Sequence, residues 1–232
     1  MSQILQIISV TWLAGLTAVL GGIIARFDST KDSALKNEIL HGITALGGGI
    51  LLAAVAFALV PEGIKTLNAP VLAISLLSGG IAFCALDWWL GQQKNSKAQF
   101  VAMLADYIPE AISLGAVFAT DPKLGYFLAA FIAAQNLPEG FNAYRELSDM
   151  RHRLLALFGA SLLGPLAAAA GYLFLEDFPA VTATLMTFAG GGILYLVFQD
   201  IAPQAKLQRD WIPALGAVIG FLFGVMGKYW MH

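Results

Sequence analysis

Eight apolar segments, each close to twenty residues long, follow one another with only short polar breaks: about 3–25, 40–60, 70–90, 99–119, 124–146, 153–175, 179–201 and 211–230. About 20 apolar residues in a helix cross the hydrocarbon core of a bilayer. The pattern therefore predicts an all-α integral membrane protein of eight transmembrane helices. The breaks RFDSTKDSALKNE, KTLNAP, GQQKNSK, TDPK, RELSDMRHR, LEDFP and KLQRD carry the turn residues. They leave no room for a soluble domain, so residues 1–232 read as a single transmembrane unit. Composition agrees, with 12% charged residues against about 25% in soluble domains. A net charge of −2 gives no field for nucleic acid, and none is expected as a partner. The first apolar run begins at Ile4, lacks a basic leader and continues to Ala25, which reads as a span and not a cleaved signal. Cys84, the one cysteine, lies in an apolar run and is expected as a small buried side chain.

Orientation follows from the loop cations. The first, third, fifth and seventh loops hold Arg26, Lys31, Lys36, Lys94, Lys97, Arg145, Arg151, Arg153, Lys206 and Arg209, ten of the thirteen Lys and Arg. Lys65, Lys123 and Lys228 lie on the other side. The bias predicts odd-numbered loops in the cytoplasm and both termini outside.

Two segments resemble each other. Residues 47–62 read GGGILLAAVAFALVPE and residues 190–204 read GGGILYLVFQDIAPQ. They fall in the second and seventh spans, which run in opposite directions if there are eight. An inverted repeat is expected, relating spans 1–3 to spans 6–8 with spans 4 and 5 between, a 3+2+3 arrangement. Such repeats recur in secondary transporters, with binding sites near the midplane on interrupted helices. The same glycines also suit close helix packing.

Spans 4 and 5 carry DYIPE and QNLPEG around the short TDPK turn. Positions 106 and 139, and positions 110 and 135, are symmetric about that turn, so each pair should share a depth. Asp106 with Glu110, and Gln135 with Glu139, are also spaced i, i+4 and share a helix face. Pro109 and Pro138 each remove an N–H and free a carbonyl one turn earlier, those of Ala105 and Ala134. Irregular backbone at this depth must line a cavity or be buried in protein. Burying three carboxylates costs several kcal/mol unless they are paired or protonated, and no Lys or Arg sits mid-span. Two readings follow. Either the carboxylate and amide oxygens hold a divalent cation, or the carboxylates are protonated and hydrogen-bond between helices.

Other polar positions carry less. Gln199, Asp200 and Gln204 either border the path or sit at the cytoplasmic end of span 7. Glu62 is expected to be solvated, and Asp87 interfacial beside Trp88 and Trp89. His41, His152 and His232 fall at loops or termini. Ser113 and Asn142 extend a polar track or bond between helices.

With these motifs in view, the chain resembles the ZIP family of zinc and iron transporters over nearly its whole length. The resemblance rests on eight spans with termini outside, the 3+2+3 repeat, and a paired HNxPEG-type motif that stands here as DYIPEA and QNLPEG. ALVPEG in span 2 and YLVFQDIAPQ in span 7 are similar to family patterns as well. The resemblance implies metal bound between spans 4 and 5: one position using Asp106, Glu110, Gln135 and Glu139, and a second using Asn136 with the shared glutamates. Three departures stand out. Asp106 replaces the usual His, Tyr107 the usual Asn, and Gly164-Pro165 the usual Glu-Pro. One metal at a time is therefore expected. The family's His-rich cytoplasmic loop is also absent, since GQQKNSK has no histidine.

The function expected is carrier-type movement of a divalent transition metal into the cytoplasm, the metal (zinc, iron, manganese or cadmium) being cargo and not a catalytic cofactor. An oxygen-rich ligand set predicts a broad or manganese- and iron-leaning preference. No GxxxxGK[ST] motif indicates ATP drive; paired buried carboxylates are compatible with proton coupling. The partners expected are the lipid bilayer of a plasma or bacterial inner membrane and, through surfaces such as LAAAAGY and GAVIGFLFG, a second copy as a homodimer. Two other classes remain open: a transport-silent metal-binding sensor or scaffold, and an intramembrane hydrolase. Against the hydrolase, the sequence has no GxGD pair and no HExxH.

Overall fold

The computed structural model describes residues 2–27, 34–92, 98–147, 151–175, 177–205 and 211–231. Lys31, Lys94, Lys97, Lys206, Arg209 and His232 lie outside the described residues. Among those described there is no strand, and the chain runs as eight helical rods. Helix α1 is Gln3–Phe27. Helix α2 runs from Ala34–Ala54 through a π turn at Val55–Leu59 into Val60–Thr66. Helices α3, α4 and α5 are Ala69–Gln92, Ala98–Thr120 and Pro122–Glu146. Helix α6 comprises Arg153–Ser161 and Leu163–Leu175. Helix α7 runs from Pro179–Leu196 through a second π turn, Val197–Ile201, to Ala202–Gln204, and α8 is Ile212–Met231.

Six of these rods, α1, α2, α3, α6, α7 and α8, are long and apolar enough to cross a membrane, which makes this a multi-pass membrane protein. Helices α4 and α5, of similar length, carry acids and amides inward, with Asp106, Glu110, Gln135 and Asn136 all buried.

Helix α1 packs on α5 and α6; α4 packs on α5, α6 and α7; α2 packs on α8, α5 and α7; and α3 packs on α7. These partnerships are unchanged when α1, α2, α3 and α4 are exchanged with α6, α7, α8 and α5. Lipid tails are as apolar as leucine, so helix contact in a membrane depends on close backbone approach through small residues. The α1/α5 and α4/α6 crossings are of this type. A Cβ added at Gly140 would strike the backbone of Ala18, and one at Gly115 the backbone of Ala168.

The glycine triplets face each other's π turns. Gly48 lies against Ile201, and Gly190 against Val55 and Leu59. An apolar core of Ile7, Leu51, Leu114, Phe118, Leu128 and Met186 fills the half of the bundle nearer the α4–α5 turn. There the amide of Gln3 donates to the carbonyl of Phe118 (3.0 Å), tying the start of α1 to the end of α4.

Two expectations are corrected. Cys84 is exposed on the outer face of α3 instead of buried. A uniformly apolar run cannot distinguish its protein-facing side from its lipid-facing side, because both are apolar. His41 is not in a loop: α2 begins at Ala34, since the helix-forming residues of ALKNE extend it beyond the apolar stretch.

Candidate metal centre

Helices α4 and α5 pass through Pro109 and Pro138 without breaking. Hydroxyl groups take up backbone carbonyls nearby: Ser113 Oγ donates to the Pro109 carbonyl (2.9 Å), and Thr17 Oγ1, from α1, donates to that of Ala133 (2.7 Å). Thr17 was not singled out by sequence; a lone threonine in an apolar span carries no signal of its partner.

Between the two helices, Gln135 Nε2 donates to Asp106 Oδ2 at 3.1 Å and to Glu110 Oε2 at 2.5 Å. Symmetry about the TDPK turn pairs Glu110 with Gln135, and that contact is present; Asp106 joins the same amide. Glu139 lies one turn along from Gln135, within electrostatic reach of Asp106 and Glu110. Asn136 points elsewhere, its Nδ2 donating to the Ala14 carbonyl on α1 at 3.1 Å. Four oxygens here are buried with no hydrogen-bond partner: Asp106 Oδ1, Gln135 Oε1, Asn136 Oδ1 and Glu139 Oε2. Buried polar atoms are ordinarily satisfied, and three of these four, on Asp106, Gln135 and Glu139, belong to the cluster between the two helices and lack a donor there. Among the described residues, no three His, Cys, Asp or Glu side chains group closely enough to hold a metal on their own. A cation here would need the amide oxygens beside the carboxylates.

A cavity of about 60 Å³ adjoins Gln135 and Glu139 on the side away from the α4–α5 turn. Its polar lining is completed by Thr44, Asn142 and Asp200, and Gly47 of the first triplet lets α2 close against Pro138. That volume exceeds the roughly 10–15 Å³ that one water needs, so a partly hydrated ion has room. Asp200 thus borders the cavity, as one of its two sequence readings has it. The side chain of Gln204 is outside the described residues. Asp87 accepts from Tyr195 Oη at 2.9 Å, and Glu62 pairs with Lys65 at 3.1 Å.

Tyr107 is turned away from the carboxylates. It is buried, and its hydroxyl donates to the Thr11 carbonyl at 3.1 Å. Its ring end sits in a cradle formed by Gly15 and Gly164, where a Cβ at either glycine would meet the hydroxyl. Two of the residues that depart from the resembled pattern, Tyr107 and Gly164, are therefore one packing unit. Gly164→Ala is expected to destabilise the protein by about 1–3 kcal/mol through overpacking. Adding Tyr107→Leu should recover most of that loss, a coupling that a double-mutant cycle of thermal unfolding reads directly.

No model of a known protein family matches the chain. Over 146 residues it is 34% identical to the zinc transporter GufA of Myxococcus xanthus, a stretch covering 59% of this chain and 56% of that protein. The chain thus spans little more than half the length of the curated relative it matches.

Proposed function

We propose that this protein is a carrier of the ZIP type that moves a divalent transition metal ion across a membrane, inward to the cytoplasm. The observation that carries the reading is the group of buried oxygens without donors on Asp106, Gln135 and Glu139, set between two proline-containing helices beside a cavity. A cation bound there supplies the positive charge that those oxygens lack. Gln135 now offers its N–H groups to the two acids. With a cation between them, the amide turns over and presents Oε1 as a ligand, so that Asp106, Glu110, Gln135 and Glu139 form one oxygen shell. The similarity to a zinc transporter supports the cargo class.

In this reading all eight rods span the membrane, in the inverted 3+2+3 arrangement that the exchange-symmetric packing fits. Both termini lie outside, in a plasma or bacterial inner membrane, and the cavity opens toward the cytoplasm. The apolar core on the other side closes the outer path. Helices α1 and α6 are locked to the α4–α5 hairpin through glycine, so these four travel together when access alternates. Tyr107, turned onto α1 and α6, offers no ligand for a second ion, and one metal moves at a time. The oxygen shell lacks imidazole and commits weakly to zinc. In competition, zinc and manganese are expected to differ by less than about tenfold; zinc preferred by more than that would overturn the oxygen-shell assignment.

The alternative is a transport-silent metal sensor or scaffold, in which the same buried oxygens bind the ion without moving it. Uptake of manganese, ferrous iron, zinc and cadmium into proteoliposomes separates the two: saturable flux supports the carrier, and binding without flux supports the sensor.

A further inference from the structure

A second, larger hollow of about 320 Å³ lies between α1 and α2 on a floor of α5. It touches the inner cavity, because Thr44, Pro138 and Asn142 line both. Its chemistry is divided by depth. Toward the bundle ends it is lined by His41 and Arg145; deeper, by Ile24, Ile43 and Phe141. Ile24 and Ile43 are about half exposed, so the hollow opens sideways between the helices and not only along the bundle axis. The Arg145 guanidinium lies 5.7 Å above the Phe141 ring, one turn beyond it.

For a cation leaving the inner cavity, this arrangement presents a contradiction. The route past Asn142 and Thr44 leads to a mouth that carries the Arg145 guanidinium, and a positive charge there repels a divalent cation. An anion held there removes the repulsion. The lateral opening and the apolar depth fit an anion that carries an acyl chain, and basic pockets between membrane helices on the cytoplasmic side are suited to anionic headgroups.

We propose that this groove is a docking site for one anionic phospholipid, its phosphate against Arg145 and His41 and an acyl chain along Ile24, Ile43 and Phe141. Docking rests on the groove itself; only its consequence, easing cation exit, rests on the carrier reading.

Native mass spectrometry of the detergent-solubilised protein, titrated with phosphatidylglycerol or phosphatidylcholine of matched chains, tests it. Phosphatidylglycerol is expected to be retained preferentially. Arg145→Gln should lower that retention about fivefold, the equivalent of about 1 kcal/mol for one cation beside an anionic lipid. Arg145→Lys should keep most of the retention, and Lys123→Gln, at the opposite end of α5, all of it. Equal retention of the two lipids, or no change in Arg145→Gln, overturns the proposal. So does displacement of the lipid by millimolar inorganic phosphate, which would mark a site for free anions. In the Glu110→Ala variant, lipid retention should stay at the wild-type level. In the unaltered protein, absent flux with preferential lipid retention would fail the carrier reading alone, and saturable flux without lipid preference would fail this inference alone.

Discussion

Glu110→Ala and Glu139→Ala are each expected to reduce saturable metal flux in proteoliposomes to background. Outer-shell partners of metal ligands already contribute about 10–100-fold to affinity, so a side chain in direct contact with the ion should contribute at least as much. The two residues differ in their surroundings, which gives the test a second readout. Glu110 is held by the Gln135 amide, whereas Glu139 has a buried oxygen with no partner and borders the cavity. Metal at about 100 times its dissociation constant raises stability by about 2.7 kcal/mol, visible as a higher melting temperature for the unaltered protein. Both variants should lose that metal-dependent rise. Without metal, neither should unfold more readily than the unaltered protein, because each removes one of three acids crowded in a low-dielectric region. A variant that loses flux because it is misfolded would instead melt lower with and without metal. Full flux in either variant would remove the ion from the α4–α5 hairpin.

Valine at Gly140 or Gly115 should be a severely damaging packing change. At these positions the obstacle is backbone: the added Cβ would meet Ala18 from Gly140, and Ala168 from Gly115. A flexible side chain can move aside, but a helix backbone can do so only by separating the two helices along their length. Overpacking in a well-filled core costs about 1–3 kcal/mol where neighbours can adjust, and these sites should exceed its upper end. At about 2–4 °C per kcal/mol for a chain of this size, the melting temperature should fall by more than about 6 °C. Valine at Gly159, which meets nothing within 4 Å, is the matched control, losing only what a β-branched residue costs on an exposed helix face. Equal melting of the two would mean that the crossings are not held by close approach.

The helical architecture was legible because hydropathy over twenty residues reports the solvent that a segment needs, and all eight segments read as apolar runs. Helices α4 and α5 carried a second signal. The symmetric placement of Asp106, Glu110, Gln135 and Glu139 about one short turn showed that their polarity was arranged, and the Gln135 bonds to both acids follow from that spacing. Which way Tyr107 and Asn136 face was not legible. Each lies next to a member of the cluster in sequence but about 100° around the helix, and its direction is set by partners on other helices. Those partners, the carbonyls of Thr11 and Ala14, exist on every residue and leave no mark in a sequence. Cys84 was misplaced for a related reason, since a membrane protein wears its apolar residues outside as well as inside. The groove at Arg145 and His41 joins residues about a hundred positions apart, and only the packing of α1, α2 and α5 brings them together.

The π turns at Val55–Leu59 and Val197–Ile201 have a mechanical meaning beyond their place in the repeat. Each is one residue too many wound into a helix, hydrogen-bonded i to i−5 where its neighbours bond i to i−4. In a crystal such a fault would be called a dislocation, and a dislocation lets a rigid lattice slip without breaking all its bonds at once. A π turn moves along a rod by the exchange of one hydrogen bond at a time, and every residue that it passes is re-aimed by about 100°. Asp200 lies inside one such fault and borders the cavity. The acid at the cavity thus stands on the stretch of α7 where hydrogen bonds can be exchanged singly.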